Sequence, residues 1–294
     1  MMRLLMDKNK VTPYVMILPA MIIFFLFFII PIGYMIYLSF HDWNFVTPDM
    51  NFIGLTNYTT LANDGRFQQV LSNTVAYTLG TVGLTIIIAL FIALWLNKKG
   101  LIYSFAQSSI FSPHIISLVS VSMLWMWIMD DSYGLLNQIL NGLGMDSVNW
   151  LTDSKMVIIS LIIVSVWKSV GYYTLIFIAG LQSIPEDIYE AAALDNTSKL
   201  RKLFKITIPM LSPTIFFVGI TSIISSFKVF ETINIMTQGG PANASNTLVY
   251  YIYEYGFKFF RIGHASAAGV ILLIVISIFT FIYFRLMSKR VFYQ

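Results

Sequence analysis

The chain has 294 residues, of which 57% are hydrophobic and only 11% charged, with a formal net charge of +4 and no cysteine. A water-soluble domain carries about a quarter charged residues, so this chain has too few to cover a water-facing surface. The lack of cysteine excludes disulfides, thiolate zinc sites, iron–sulfur clusters and cysteine nucleophiles, and no basic stretch interleaves with aromatics as a nucleic-acid site requires.

Residues 1–10 are a short basic start. Val11 to His41 contains no Asp, Glu, Lys or Arg; it predicts a first membrane helix over 12–40, because crossing the hydrocarbon core takes roughly 20 apolar residues as helix. This block exceeds the ~7–15 apolar residues of a signal peptide, and Tyr34, Tyr37 and Phe40 stand where a small-residue cleavage pattern would be. Pro31 predicts a kink in it. From His41 to about Arg66, turn formers and aromatics predict a capped external loop on the membrane surface. Phe67–Asn97 and Gly100–Met129 are again free of charge and predict spans over 68–97 and 103–129, joined by the basic turn Asn97-Lys98-Lys99-Gly100. The third span carries Pro113, and Trp125 and Trp127 near its outer end suit an interfacial aromatic belt. An acidic external segment follows, Asp130–Lys155. Met156–Leu181, Ile206–Ile235 and Ile262–Phe284 predict spans over 156–181, 207–236 and 262–287, with Lys168, Lys228, Glu231 and His264 inside the blocks. Between the last two, Thr237–Arg261 opens with the forced turn Gly239-Gly240-Pro241. The blocks are continuously apolar, without the alternation of barrel strands, so helices are expected. The expectation is an all-α membrane protein of six spans forming one domain, 1–294.

Charge sets the orientation. With both termini on one side, that side carries Arg3, Lys8, Lys10, Lys98, Lys99, Lys199, Arg201, Lys202, Lys205, Arg285, Lys289 and Arg290; the other carries Arg66, Lys155, Lys258 and Arg261. Twelve against four places both termini in the cytoplasm.

Between spans four and five lies a charged, helix-prone segment, 184–205. Ser183 followed by Glu186 has the spacing of a capping box, Pro185 suits a first turn, and Glu186 and Asp187 complement a helix N-terminus. Ile188, Ala191 and Ala192 fall on one face at i, i+3, i+4. Asp195-Asn196 breaks this helix. A second follows with Leu200, Leu203 and Phe204 on one face and Lys199, Arg201, Lys202 and Lys205 around the other, and Pro209 marks the start of span five. Propensity and charge alone fit an interfacial helix pair covering the membrane surface equally well.

The full pattern is more specific: Glu190-Ala191-Ala192, Asp195, Phe204, Ile206-Thr207-Ile208-Pro209, Leu211 and Pro213. It resembles the EAA loop of bacterial ATP-binding-cassette importer permeases, and within them the carbohydrate-uptake subfamily related to maltose and glycerol-3-phosphate permeases. Phe52-Ile-Gly-Leu-Thr-Asn-Tyr58, Gly180-Leu-Gln-Ser-Ile-Pro-Glu186, Thr237-Gln-Gly-Gly-Pro241, Tyr251-Ile-Tyr253 and Gly263-His-Ala-Ser-Ala-Ala268 extend the resemblance over nearly the whole chain. It departs at Asn196, where the family's glycine is usual; asparagine tolerates the left-handed conformation better than most residues, so the turn is expected to survive.

The resemblance implies that Glu190, Ala191, Ala192, Ala193, Asp195 and Asn196 form a coupling element docking in a cleft of a separate ATPase subunit. No G-x-x-x-x-G-K-[ST] phosphate loop occurs here, so ATP and Mg are expected on partner subunits and no cofactor in this chain. The implied partners are a second, homologous permease, two ATPase copies, an external or periplasmic solute-binding protein, a sugar and the bilayer of the bacterial cytoplasmic membrane.

Ionisable residues inside a span point to function. Lys168 lies mid-block in span four; Lys228 and Glu231, three apart in span five, would share a helix face and could neutralise each other. Packing or snorkelling is the alternative for both lysines. Ser165, Ser169, Tyr172 and Tyr173 in span four and Ser222, Ser225 and Ser226 in span five supply the hydroxyls and aromatic faces that a sugar needs, although any single serine also serves as helix–helix glue. By resemblance to the maltose permease, these stretches line the substrate path. Two other classes are weaker. A self-contained secondary transporter predicts charge relays over several helices and often an internal repeat, and no convincing repeat is present. A membrane enzyme is disfavoured because His41, His114 and His264 are scattered and no H-E-x-x-H occurs.

Overall fold

The computed structural model of the protein describes residues 2–288, with side chains from Thr12 onward. Of the basic residues used for orientation, Arg3, Lys8, Lys10, Lys289 and Arg290 therefore lie outside the described side chains. The chain forms two compact units: the segment through Asn63 with Ile252–Ile271, and Asp64–Tyr251 with the segment from Leu272 on.

The first unit begins with a helical run of α1 (Met2–Phe24), a π-turn (Phe25–Ile29) and α2 (Ile30–Leu38). Proline has no N–H and its ring crowds the carbonyl four residues back, here that of Phe27, inside the π-turn. The expected kink at Pro31 is thus taken up as one wider turn. A two-residue antiparallel pair, β1 (His41–Asp42) with β2 (Asn51–Phe52), closes the loop after α2. Next comes α3 (Thr56–Asn63). Its buried Asn57 donates through Nδ2 to the carbonyls of Ser39 (2.9 Å) and His41 (3.0 Å). The later stretch of this unit follows the start of a short helix, α14 (Leu248–Tyr253), and continues into a π-turn, Glu254–Lys258.

In the second unit, α4 (Gly65–Leu96) and α8 (Val157–Gln182) are the two long helices at the centre, packed along each other. Around them stand α5 (Leu101–Ile115) and α12 (Ser212–Phe227). The last helix, α15 (Ile262–Ser288), contributes Leu272, Val275, Ile276, Phe279 and Tyr283 to a cluster built on Val82, Ile223 and Phe227. Close approach is bought by glycine at two points: a Cβ on Gly171 would strike the Ile110 carbonyl and Phe111, and one on Gly219 would strike the Tyr283 phenol.

Among the described residues five helical runs are long and apolar enough to cross a membrane: Thr12–Leu38, Gly65–Leu96, Val157–Gln182, Ser212–Met236 and Ile262–Ser288. The third predicted span, 103–129, is not one helix. It consists of α5 and α6 (Leu118–Ile128), bent by 98° at Ile116–Ser117. Pro113 removes one helical hydrogen bond, and the β-branched pair Ile115–Ile116 favours extended backbone, which Ile116 (ψ 142°) and Ser117 (ψ 136°) adopt. The fifth span departs too. Helix begins well before 207, running from α10 (Lys199–Lys202) through a π-turn (Leu203–Thr207) and α11 (Ile208–Met210) into α12. The π-turn again ends two residues before a proline, Pro209. This run then breaks at Lys228–Phe230 before α13 (Glu231–Met236). The pieces beyond the two breaks, α6 and α13, pack on each other.

The acidic segment after the third span contains α7 (Leu135–Gly142), organised by buried Asn137. Its amide donates to the carbonyls of Asp131 (3.1 Å) and Val148 (3.0 Å) and accepts from the Val148 and Trp150 N–H groups, both at 3.0 Å. The backbone N–H groups of Tyr133 and Ser132 hold the Asp130 carboxyl below the usual carboxylate range. Trp127 is exposed, as a belt residue would be, but Trp125 turns inward onto Trp167 with centroids 5.5 Å apart. The Gly-Gly-Pro turn has a cis Gly240–Pro241 bond and positive φ at Gln238, Gly239, Ala242 and Asn243. It is tied to α4 through Asn73, which donates to the Asn243 and Asn246 carbonyls at 3.0 Å each.

The sign of one substitution checks this packing. Alanine for a mid-helix glycine usually stabilises by about 0.5–1 kcal/mol; Gly171→Ala is expected instead to destabilise by about 1–3 kcal/mol, because the methyl meets backbone that cannot swing aside. Thermal unfolding of the detergent-solubilised protein reads the difference, and a raised midpoint would contradict the α5–α8 contact.

Candidate functional site

The second unit encloses a cavity of ≈ 220 Å³ where the breaks in the third and fifth spans come together. Helix α4 contributes Tyr77, Thr81 and Thr85; α8 contributes Ser165, Lys168, Ser169 and Tyr173; α12 contributes Ser222, Ser225 and Ser226. His114 and Leu118 line it from either side of the third-span break, and Lys228, Val229, Glu231 and Thr232 from the fifth.

Nine of the ten path residues expected from sequence therefore share one wall-set: Ser165, Lys168, Ser169, Tyr173, Ser222, Ser225, Ser226, Lys228 and Glu231. Tyr172 does not line the cavity. One residue on from Gly171, it points past the wall and stacks on His114, ring centroids 4.5 Å apart at 11°. The shared-face argument for Lys228 and Glu231 also fails. Lys228 ends α12 and Glu231 opens α13 after Phe230 at φ −141°, so helical spacing does not relate them. They meet the same cavity because the chain breaks between them.

The lining is dense in hydroxyls whose own donors are mostly satisfied locally. Tyr77 and Ser165 hydroxyls lie 2.6 Å apart, and those of Thr85 and Ser169 3.4 Å apart. Ser169 Oγ donates to the Ser165 carbonyl (2.7 Å), Ser222 Oγ to Gly219 (3.2 Å) and Ser226 Oγ to Ile223 (2.9 Å). Oxygens bonded in this way keep lone pairs for a further donor. Thr81 Oγ1 is buried with no hydrogen-bond partner. Lys168 is not available as a simple charge: its Nζ donates to the carbonyls of Pro113 (3.1 Å), His114 (3.3 Å) and Ile116 (2.7 Å). Among the described residues no cluster of His, Cys, Asp and Glu could hold a metal ion.

The α4 wall is what sequence reading missed. Its signal was present: Tyr77, Thr81 and Thr85 recur every fourth residue within an otherwise apolar block, the repeat of one helix face.

The second candidate element is the segment after α8. Helix α9 (Glu186–Leu194) has no capping box. Ser183 is the C-cap of α8 and its hydroxyl donates to the Gly180 carbonyl (2.8 Å), leaving Pro185 as an N-cap with no side-chain bond. The end of α9 is sharply defined. Asn196 takes φ 51°, its N–H bonds the Ala193 carbonyl (3.1 Å), and the Thr197 N–H bonds that of Ala192 (3.0 Å). This is a Schellman motif with asparagine in the glycine position. Ala192 is buried and Ile188 and Tyr189 pack on the cluster formed by Ala93, Leu96, Leu181 and Leu211. Glu190, Ala191, Ala193, Asp195 and Asn196 are exposed, so Ala191 does not share the covered side of Ile188 and Ala192. Leu194, Leu200 and Phe204 add large apolar side chains, 85%, 70% and 62% exposed.

Over residues 82–293 the sequence matches the family described as "Binding-protein-dependent transport system inner membrane component", a range that contains the segment after α8 and all of the cavity lining except Tyr77 and Thr81. The chain belongs to this family. This permease is 35% identical to the probable ABC transporter permease protein YurN of Bacillus subtilis (strain 168), over 92% of this chain and 94% of that one. To the arabinooligosaccharides transport system permease protein AraP of the same organism it is 32% identical, over 95% and 89% of the two chains. It superposes with a TM-score of 0.83, at 25% identity and over 98% of each chain, on a permease chain in the crystal structure of a bacterial alginate ABC transporter in complex with an alginate pentasaccharide-bound periplasmic protein. The family is one of transport permeases, and the fold is that of an ABC importer permease.

The left-handed residue in the Schellman motif of this permease gives a prediction. Asn196→Gly is expected to leave thermal stability within about 0.5 kcal/mol or raise it, whereas Asn196→Val, a β-branched residue forced to positive φ, is expected to cost about 1–2 kcal/mol. Parallel thermal unfolding of the two variants makes the comparison; equal midpoints would contradict the turn.

Proposed function

We propose that this permease forms half of the translocation path for a sugar or oligosaccharide in an ATP-driven importer. The observation that carries the reading is the cavity: seven serines and threonines of α4, α8 and α12 around Tyr77 and Tyr173, which suit hydrogen bonds to sugar hydroxyls and apolar contact with a sugar's C–H face. Relatives that handle arabinooligosaccharides and alginate support the same class. At ≈ 220 Å³ the cavity is smaller than the ~300–1,000 Å³ of complete ligand sites. A second, homologous permease supplies the other half. An external solute-binding protein delivers the substrate, and the path binds it weakly enough to release it.

The chain itself catalyses no reaction. Two copies of an ATPase bind ATP and Mg, and the exposed face of Glu190, Ala191, Ala193, Asp195 and Asn196, flanked by Leu194, Leu200 and Phe204, docks against one of them. Alanines there permit close approach, and Ala192, Ile188 and Tyr189 pass the movement to the ends of α4 and α8. Both termini face the cytoplasm, in keeping with the positive-inside rule, and the protein crosses the bacterial cytoplasmic membrane six times as a single transmembrane domain, the third span as a broken helix.

Affinity capture of the tagged permease in mild detergent, followed by mass spectrometry, tests this. Recovery of an ATPase and a second permease is expected, and Glu190→Lys with Ala191→Arg is expected to lose the ATPase while keeping the permease partner. Recovery of the chain alone, with ion-driven uptake in vesicles lacking ATP, would overturn the reading in favour of a secondary transporter.

A further inference from the structure

One face of α8 is built to receive the end of α5. Lys168, Gly171 and Tyr172 stand at i, i+3 and i+4, and each meets a different part of that end. Gly171 lets the α5 backbone at Ile110 and Phe111 come into contact with α8. Tyr172 stacks on His114. Lys168 reaches the carbonyls of Pro113, His114 and Ile116 at 3.1, 3.3 and 2.7 Å.

These carbonyls lack helical partners for a definite reason. From Ile116 the backbone is extended, so the residues that would have donated to the last turn of α5 leave in another direction, at 98°. In hydrocarbon an unsatisfied carbonyl has no water to turn to. The end of a helix also carries roughly half a negative charge, which favours a cation. An ammonium group has three N–H donors and no acceptor, and here three carbonyls take them. A substrate anion could bind Lys168 only by displacing these bonds.

We propose that Lys168 is a positioning residue rather than a substrate ligand: its ammonium group clamps the broken third span onto span four and so sets the cavity wall formed by His114 and Leu118. Its neighbours Ser165 and Ser169 on the same helix face the cavity with their hydroxyls, while Lys168 maintains the wall opposite them. The inference stands on helix packing and does not depend on which solute is carried.

The chain has no cysteine, so a proximity test is direct. With His114→Cys and Tyr172→Cys in place of the stacked rings, oxidation in native membrane vesicles without added substrate is expected to join the two thiols within this chain. Adding Lys168→Met, similar in length but without donors, is expected to slow cross-linking on the order of tenfold, the scale of a lost hydrogen bond to a charged group. Lys168→Arg, which restores charge and donors, is expected to bring the rate back. An unchanged rate in Lys168→Met would overturn the clamp, and so would failure to cross-link with Lys168 present. If Lys168→Met does not accumulate in the membrane, Lys168→Gln, with two donors, decides the matter: slower cross-linking supports the clamp and an unchanged rate overturns it. A substrate-contacting lysine would leave all of these rates alone, because no substrate is present.

Discussion

Three backbone carbonyls at the end of α5 converge on the ammonium group of Lys168, and the architecture around the cavity follows from the constraint that this contact meets. A helix in hydrocarbon satisfies its own backbone; wherever it stops, the freed groups need partners from the protein. The third span stops at Ile116 and turns by 98°, and α8 supplies the cation that makes the stop tolerable. Two breaks, at Ile116–Ser117 and Lys228–Phe230, open the apolar bundle at one level. His114, Leu118, Lys228 and Glu231 enter the cavity there.

The same constraint is met in quieter ways elsewhere. Pro31 and Pro209 each follow a five-residue π-turn, a widening of the helix that accommodates the missing N–H and the crowded carbonyl without breaking the rod. Asparagine does this work for the loops: Asn137 ties together α7 and the chain at Val148–Trp150, and Asn73 anchors the turn after Pro241 to α4. Thr74 Oγ1 donates to the Val70 carbonyl and accepts from the Leu248 N–H at 2.9 Å. Hydroxyls bonded to their own helix are neutral toward folding and still able to accept. A cavity lined by such groups offers many weak, exchangeable contacts, as passage of a solute requires.

The segment after α8 is organised on a different principle. Its buried side is small, Ile184 and Ala192 with Ile188 and Tyr189 partly covered, while Leu194, Leu200 and Phe204 remain in the open around a sharp Schellman turn. Rigidity comes from the turn and from seating on the ends of α4 and α8. A push on α9 is therefore delivered to the two helices that carry most of the cavity's hydroxyls.

Much of this was legible in the sequence because it depends on local composition. Charge-free blocks of about 30 residues can only be spans, the run from Glu190 to Pro213 specifies its own helix–turn–helix, and positive φ at residue 196 could be read from the asparagine there. The cavity-lining residues of spans four and five were also readable, since hydroxyls and charges stand out against an apolar background. Tertiary structure decided the rest. Pro113 and Ile115–Ile116 weaken the helix of span three locally, but the partner of its freed carbonyls is Lys168, 52 residues beyond the break, and no local pattern around Pro113 announces a cation across the helix interface. Tyr172 was lost from the cavity and Tyr77, Thr81 and Thr85 were gained because orientation about a helix axis is set by the neighbour it packs against, and glycine contacts such as Gly171 on Ile110 fix that rotation. Sequence determined which residues were able to line the cavity. The meeting of α4, α5, α8 and α12 determined which of them do, because a side chain's direction is a property of the packed bundle and not of its own helix.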